Sequence, residues 1–413
     1  MIQSCLTIRG HLSKSLTTAK LINIRHAHSG IIDPLQLKPL QQEGGLLDKL
    51  ISAIRRRSAP AVWKAYTDLK DSGKIKEVPI QYHSMTLQSF RLNENGYYSS
   101  DKLKFYKKCI SDILVATKKA QYKLDVRDYN VLLRLYGQSR DWKAASDCWN
   151  EIKVKKNEES YNLYMQAAVQ CKKYDEVFKI FNKMNNDGIQ PDVTTYNTLI
   201  EANGRMGNVT EADKLFRDYF APKNTENKST SIISKYFIKD ANLSTYTPSA
   251  APLSRCIPPP NAVLSPTTDT FEALIDAHGR KKNTPGLNYI YKTMLPQYDI
   301  KPDLKIYNAL IRWYCHSGDI EAARNTFVDM EASGIKPNVA VFNHLFRHEA
   351  LKRNRPKVAE AIIDYMRKEY GIRPSTSMYA TLIRIHNKHN REDEANRLHT
   401  IYKALKSKKL EEQ

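Results

Sequence analysis

From Val126 onward the apolar positions of this chain follow a fixed grammar. Each cycle has an aromatic residue, apolar residues at three- and four-residue spacing, a polar turn, a second amphipathic stretch and a stop. In GIQPDVTTYNTLI, residues 188–200, Gly188 permits the left-handed backbone that closes a helix, and Pro191 forbids its continuation. Tyr196 then opens a new helical periodicity. The same grammar returns as DIKPDLKIYNALI from Asp299, GIKPNVAVFNHLF from Gly334 and GIRPSTSMYATLI from Gly371. Tyr161 to Tyr196 and Tyr307 to Phe342 are each 35 residues, and Phe342 to Tyr379 is 37. A period of this size predicts an all-α solenoid, in which antiparallel helical hairpins bury their apolar faces on their neighbours.

In chain order, residues 46–125 read as degenerate hairpins. Helices are expected at 46–54, 59–69 and 102–120, without a fixed register. Clear units occupy 126–221. The period then breaks over 222–267, a Ser-, Thr-, Pro- and Asn-rich stretch that includes IPPPNAVLSPTT and reads as a disordered insertion. Units resume over 268–406, and KSKKLEEQ, ending at Gln413, makes a charged tail over 407–413.

The run from Gly188, with its G-I-x-P-D ending and an Asn after the aromatic, resembles the pentatricopeptide repeat family. The tetratricopeptide alternative lacks its W-x2-L-G-x2-Y signature here. The resemblance covers about residues 126–406, fades toward the N-terminus, and implies a right-handed α-solenoid. It also implies that each unit presents one unstacked base to two side chains, the residue after the aromatic and the residue just before the next unit. Carried onto this sequence, the base-reading pairs are Asn130 with Asn157, Asn162 with Asp192, Asn308 with Asn338 and Asn343 with Ser375. Asn197 has the right position, but the insertion removes its definable partner.

An Asn amide offers a donor and an acceptor, which suits a Watson–Crick edge. The competing reading is that these residues merely cap helices. By the resemblance, Asn with Asp favours uridine and Asn with Asn favours cytidine. Glu272 and Ala380 depart from the pattern. The positions that would wedge between bases hold Arg127, Glu159, Thr194, Asp269, Lys305 and Ala340 rather than the family's usual apolar residues.

Composition sharpens this picture. The formal net charge of +21 points to a polyanionic partner. Basic residues recur near the end of each first helix, at Arg140, Lys172, Arg205, Arg280, Lys352 and Lys388, and are expected to contact phosphates. No apolar run is long enough to span a bilayer. Residues 1–32 hold Arg9, Lys14, Lys20 and Arg25 but no Asp or Glu, which reads as a mitochondrial targeting segment.

The six Cys form no C-x-x-C, and the pairs His344/His348 and His386/His389 lack further ligands, so they read as surface histidines. No cofactor and no metal are expected. No deaminase signature, P-loop or dinucleotide fingerprint is present, so a non-enzymatic role is expected. The expected partner is single-stranded RNA, a mitochondrial transcript such as the small-subunit rRNA precursor. The chain resembles fungal mitochondrial factors for maturation of small-subunit ribosomal RNA. The alternatives are a component of the mitochondrial small ribosomal subunit, an mRNA stability or translation factor, and a protein–protein scaffold.

Overall fold

The computed structural model describes residues 45–92, 98–119, 121–220 and 264–411. The expected targeting segment and most of the expected insertion, 222–263, lie outside them. Among the described residues every regular element is helical. Two compact units divide within one helix, after Leu135.

In the first unit α1 (Leu46–Arg55) and α2 (Ala59–Asp71) form the expected hairpin, followed by α3 (Ile80–Gln88), α4 (Ser100–Lys119) and the first part of α5 (Val126–Gln138). A polar network supports its core. The Ser84 hydroxyl donates to Asp128 Oδ1 at 2.7 Å, and the Tyr122 hydroxyl donates to Asp128 Oδ2 at 2.8 Å. Burial raises the Asp128 carboxyl above its usual range, while these hydroxyls act in the opposite direction.

The second unit continues with α6 (Trp142–Glu151), α7 (Glu158–Gln170), α8 (Tyr174–Asn186), α9 (Val193–Met206) and α10 (Val209–Tyr219). Next come α11 (Thr268–Arg280) and α12 (Thr284–Tyr289), which runs through a π turn at Ile290–Met294 into Leu295–Gln297. The unit closes with α13 (Leu304–Ser317), α14 (Ile320–Ala332), α15 (Val339–Arg347), a π turn at His348–Lys352, α16 (Pro356–Tyr370), α17 (Thr376–Lys388) and α18 (Glu392–Glu411). Helix α18 runs through most of the stretch expected to be a charged tail.

First helices stack on first helices: α7 on α9, α9 on α11, α11 on α13 and α13 on α15. Each also packs on its own second helix, as α7 does on α8 and α13 on α14. The aromatics that open the units, Tyr161, Tyr196, Phe271, Tyr307, Phe342 and Tyr379, are buried in these hairpin cores.

Close approach between first helices is set by small residues. A Cβ on Gly204 would lie 2.6 Å from the Ala277 Cβ, and one on Gly137 would lie 3.0 Å from that of Ala167. Gly279 lies under the Trp313 ring, 2.1 Å from where its own Cβ would stand. The period that breaks in the sequence therefore does not break in space, because α9 packs directly on α11. The ends of the intervening segment meet, with Leu264 N donating to the Tyr219 carbonyl at 3.0 Å.

A buried polar lock joins α10, α11 and α12. His278 Nε2 lies 3.0 Å from Asp213 Oδ1, and its Nδ1 lies 2.9 Å from the Asn283 amide nitrogen. Because Asn283 Oδ1 accepts from Gly286 N at 3.1 Å, its Nδ2 must face the ring. Nδ1 is therefore the acceptor and Nε2–H donates to Asp213.

Candidate nucleic-acid interface

The first helices begin at Val126, Glu158, Val193, Thr268, Leu304, Val339 and Thr376. In this common frame the fifth residue is Asn130, Asn162, Asn197, Glu272, Asn308, Asn343 and Ala380. The residue just before the helix, its N-cap, is Asn157 for α7, Asp192 for α9, Thr267 for α11, Asp303 for α13, Asn338 for α15 and Ser375 for α17.

The N-cap residues do cap. Asn157 Oδ1 accepts from Ser160 N at 3.0 Å, Asp192 Oδ1 from Thr195 N at 2.8 Å, and Asp303 Oδ1 from Ile306 N at 3.0 Å. Asn338 Oδ1 accepts from Ala340 N and Val341 N at 3.0 and 3.1 Å. Each such cap stabilises its helix by about 1 kcal/mol. Ser375 makes no capping bond, and its hydroxyl instead lies 2.8 Å from that of Ser377. Capping and base reading are not exclusive, since a carboxylate or amide oxygen has lone pairs beyond the one that caps.

At one pair the two roles meet directly. Asn162 Nδ2 donates to Asp192 Oδ1 at 3.0 Å, and Asn162 Oδ1 lies 2.7 Å from the Thr195 hydroxyl. That hydroxyl is also 2.8 Å from Asp192 Oδ1, so a single proton serves both acceptors. The Asn162 amide is thus held in one orientation with one N–H uncommitted by these bonds. Burial would raise the Asp192 carboxyl, but hydrogen bonds from Glu158, Thr195 and Asn162 outweigh it and hold it below the usual carboxylate range. The cost falls on Glu158, which burial and the neighbouring Asp192 push up to about 7.

The partner of Asn197 is Thr267, on the far side of the insertion. Asn197 Nδ2 lies 3.4 Å from Thr267 Oγ1, in the frame of the Asn162–Asp192 pair. The signal was present in the sequence. Thr267-Thr268-Asp269-Thr270-Phe271 matches Asp192-Val193-Thr194-Thr195-Tyr196 position by position, but a Thr in a Thr-rich stretch does not stand out. Asn197 Oδ1 and Asn308 Oδ1 are buried without a hydrogen-bond partner among the described residues, acceptors whose cost a ligand donor could relieve. Asn343 is half-buried on α15. Asn130, buried on α5, and Asn157 belong to different compact units.

The expected phosphate ladder is uneven. Arg205 and Arg280 lie in the last turns of α9 and α11, whereas Arg140 and Lys172 lie two residues past the ends of α5 and α7, at φ +55° and +61°. Lys282, at φ +56°, shares that turn position and was missed in the sequence. Lys352 departs further. Carried on the π turn, its ammonium donates to the Cys315 and His316 carbonyls at 2.9 and 2.5 Å, so it caps the end of α13 rather than standing free for phosphate. Lys388 is exposed on α17.

Arg205 pairs with Glu201 on its own helix at 2.7 Å, and Arg312 pairs with Asp276 across α11 and α13. Trp313 donates to Asp276 at 2.8 Å, and the Arg280 and Arg312 guanidinium groups lie 5.5 and 5.0 Å from its ring centroid. Burial, together with Arg205 and Arg312, lowers the Arg280 pKa, a sign of crowded positive charge that an anion would relieve.

The histidine expectation needs correction. His348 is buried with Nδ1 3.0 Å from the Cys315 carbonyl, and His386 is buried against Glu360 at 2.9 Å. His344 is half-buried, and burial, Arg312 and Arg347 push it down to about 4. Only His389 stands at the surface, 3.0 Å from Asn354 Oδ1. Among the described residues no group of His, Cys, Asp and Glu is placed to hold a metal ion. Burial pushes the Cys109, Cys148 and Cys315 thiols up to about 12, which leaves them unreactive at neutral pH.

Three family models match this chain: the PPR repeat family over residues 156–205 and 302–350, the pentatricopeptide repeat domain over 327–389, and the PPR repeat over 128–157 and 194–218. The chain therefore carries pentatricopeptide repeats on both sides of the break, and the stacked hairpins define it as an α-solenoid. A chloroplastic pentatricopeptide repeat-containing protein of Arabidopsis thaliana is 25% identical over 179 residues, covering 42% of this chain and 34% of its own length. A mitochondrial one from the same plant is 36% identical over 76 residues, covering 18% of this chain and 19% of its own length. The chain spans about a third or less of these relatives. The crystal structure of the pentatricopeptide repeat protein PPR10 in complex with an 18-nucleotide psaJ RNA element superposes with a TM-score of 0.58 at 17% identity, covering 98% of this chain and 49% of that one. That likeness shows the fold. The resemblance to fungal factors for ribosomal RNA finds no counterpart among these plant relatives.

Proposed function

We propose that this chain binds single-stranded RNA along the layer of first helices and acts on it without catalysis. The observation that carries this reading is the Asn162–Asp192 pair. A fifth-position amide is hydrogen-bonded to the next helix's N-cap carboxylate, and the Asn197–Thr267 pair repeats the arrangement. Such a pair fixes the direction of an amide donor and acceptor, which is what discrimination between base edges requires. The basic excess and the crowded Arg280 suit the phosphates. PPR10, named in complex with RNA, lends support by its fold alone.

The acid-free segment 1–32 favours mitochondria, and a reporter carrying it should be imported there. Within mitochondria the role that fits a non-catalytic binder is to protect or expose an RNA end for a separate enzyme, with 5′-end maturation of small-subunit ribosomal RNA as the specific case. Crosslinking the protein to RNA in mitochondria and sequencing the footprint tests this. Stoichiometric sedimentation with mature small subunits would favour a ribosomal component instead.

The direct test of base reading is Asp192→Asn on a panel of single-stranded RNAs that differ at one position. It should shift that position from uridine toward cytidine, at a cost on the original RNA of about 1–3 kcal/mol. Equal weakening of every RNA would reduce Asp192 to a helix cap.

A further inference from the structure

The unit built on α11 and α12 carries Glu272 where its neighbours carry Asn. The position is the same, the fifth residue of the first helix, immediately after the fully buried Phe271. The N-cap residue that completes the pair is Asp303, whose Oδ1 is occupied by Ile306 N at 3.0 Å. Glu272 itself is half-buried, and no hydrogen bond to its carboxyl is found among the described residues.

The cations that act on its charge, Lys305 and Arg312, are already committed elsewhere. On α13, Lys305 pairs with Asp269 at 2.5 Å and Arg312 pairs with Asp276. Glu272 is therefore a carboxyl in the reading frame with acceptor capacity that the protein leaves unfilled.

We infer that the α11–α12 unit reads guanine through the Glu272 carboxylate, a deepening that rests on the RNA-binding function proposed above. The argument is one of donors and acceptors. An ionised carboxylate offers two neighbouring acceptors and no donor. Of the four RNA bases, guanine alone presents two adjacent N–H donors, N1–H and the N2 amino group, on its Watson–Crick edge. Adenine and cytosine each set a ring-nitrogen acceptor beside their amino group, and uracil flanks its single donor with two carbonyls. Each of these would place a lone pair against the carboxylate. The second carboxylate of the pair, Asp303, adds acceptor character and no donor. This preference differs from that of the Asn units on either side.

The Glu272 site also titrates in the working range. Burial, with Asp276 the next contribution, pushes its carboxyl up to about 7; Asp269 adds to the rise, and Lys305 and Arg312 oppose it. Guanine binding needs the ionised form, so the guanine preference should strengthen as pH rises. Between pH 6 and pH 8 the ionised fraction of a group with that pKa rises about tenfold, and the preference should follow.

The test is enrichment of a random single-stranded RNA pool on the full chain at pH 6 and pH 8, with Glu272→Gln and Glu272→Asn beside the unaltered protein. Melting curves establish that the variants fold. The expected result is a motif with guanine at one position, next to the nucleotide that changes when Thr267 is altered. Glu272→Gln should lose that guanine, by about tenfold or more in relative enrichment, and leave the other positions unchanged. Glu272→Asn should give the position the preference of the Asn162–Asp192 unit, because the pair then becomes Asn with Asp. The inference fails alone if a motif is enriched but lacks guanine there, or keeps it in Glu272→Gln. The first outcome would mean that Glu272 does not reach the base, and the second that another group reads the guanine. Failure of the chain to retain any RNA would overturn the RNA-binding proposal itself, whereas retention without an enriched motif would overturn base reading and this inference with it.

Discussion

Asn197 and Thr267 are 70 residues apart in sequence, yet Asn197 Nδ2 reaches Thr267 Oγ1 at 3.4 Å. One unit earlier, Asn162 and Asp192 are 30 residues apart and meet at 3.0 Å. The second residue differs in chemistry, since a Thr hydroxyl both donates and accepts whereas a carboxylate only accepts. Thr267→Asp should therefore bring the preference read at Asn197 to that read at Asn162, while Thr267→Val should relax it. The measurement is binding to paired RNAs differing at that nucleotide, with a discrimination of about 1–3 kcal/mol expected for the Asp form.

The α9–α11 contact that brings this pair together depends on Gly204. A methyl group there would stand 2.6 Å from the Ala277 Cβ and 2.9 Å from its Cα, and backbone cannot yield as a flexible side chain can. Gly204→Ala gains up to about 1 kcal/mol of helix propensity. Overpacking at a fixed helix contact costs about 1–3 kcal/mol. A net loss should appear as a lower urea midpoint, and Ala277→Gly should recover part of it in the double variant.

The segment between α10 and α11 should be dispensable for folding. Its described ends are already bonded, Leu264 N to the Tyr219 carbonyl, and the His278–Asp213 contact joins α10 to α11 independently. Replacing residues 221–263 by a short Gly/Ser linker should leave unfolding cooperative and raise stability by no more than about 2 kcal/mol, because loop-closure entropy varies slowly with length. Loss of cooperative unfolding would show that the segment packs as structure.

Glu158 predicts a pH dependence whose sign can be worked out. Its carboxyl in the folded state is pushed up to about 7 by burial and Asp192, against an ordinary value of 4.5. Between those two values the folded state holds more protons than the unfolded one, so this group's contribution to stability falls as pH rises through that window. Glu158→Gln removes the titration. Its melting temperature should therefore depend less on pH between 5 and 7.5 than that of the unaltered chain, with the variant's relative advantage largest at the alkaline end. Parallel curves for the two proteins would show that Glu158 does not share its proton with Asp192.

Two cations expected to serve alike should separate in salt titrations. Arg280, crowded by Arg205 and Arg312, should contact a phosphate. Arg280→Ala should weaken all RNAs alike and reduce the log–log salt slope by about 0.7. Lys352 is engaged with the Cys315 and His316 carbonyls. Lys352→Ala should lower stability by roughly 1 kcal/mol or less through the lost helix cap, with the salt slope unchanged.

From Val126 onward the sequence by itself determined the hairpins, their order and which residue stands fifth in each first helix. Those depend on local chemistry: Gly188 and Pro191 stop a helix, Asp192 starts one, and Tyr196 buries in the hairpin it opens, wherever the rest of the chain lies. Only the tertiary structure decided what crosses the break and which side chains remain available. Thr267 becomes the partner of Asn197 because α9 and α11 close on Gly204 and Ala277, a contact between residues separated by the insertion. His348 and His386 go inward, and Lys352 turns onto the Cys315 and His316 carbonyls, because a π turn or a neighbouring helix aims them there. Spacing along one helix fixes which side of that helix a residue occupies. What stands opposite it, and whether its hydrogen bonds are already filled, is set by the packing of helices that are distant in sequence.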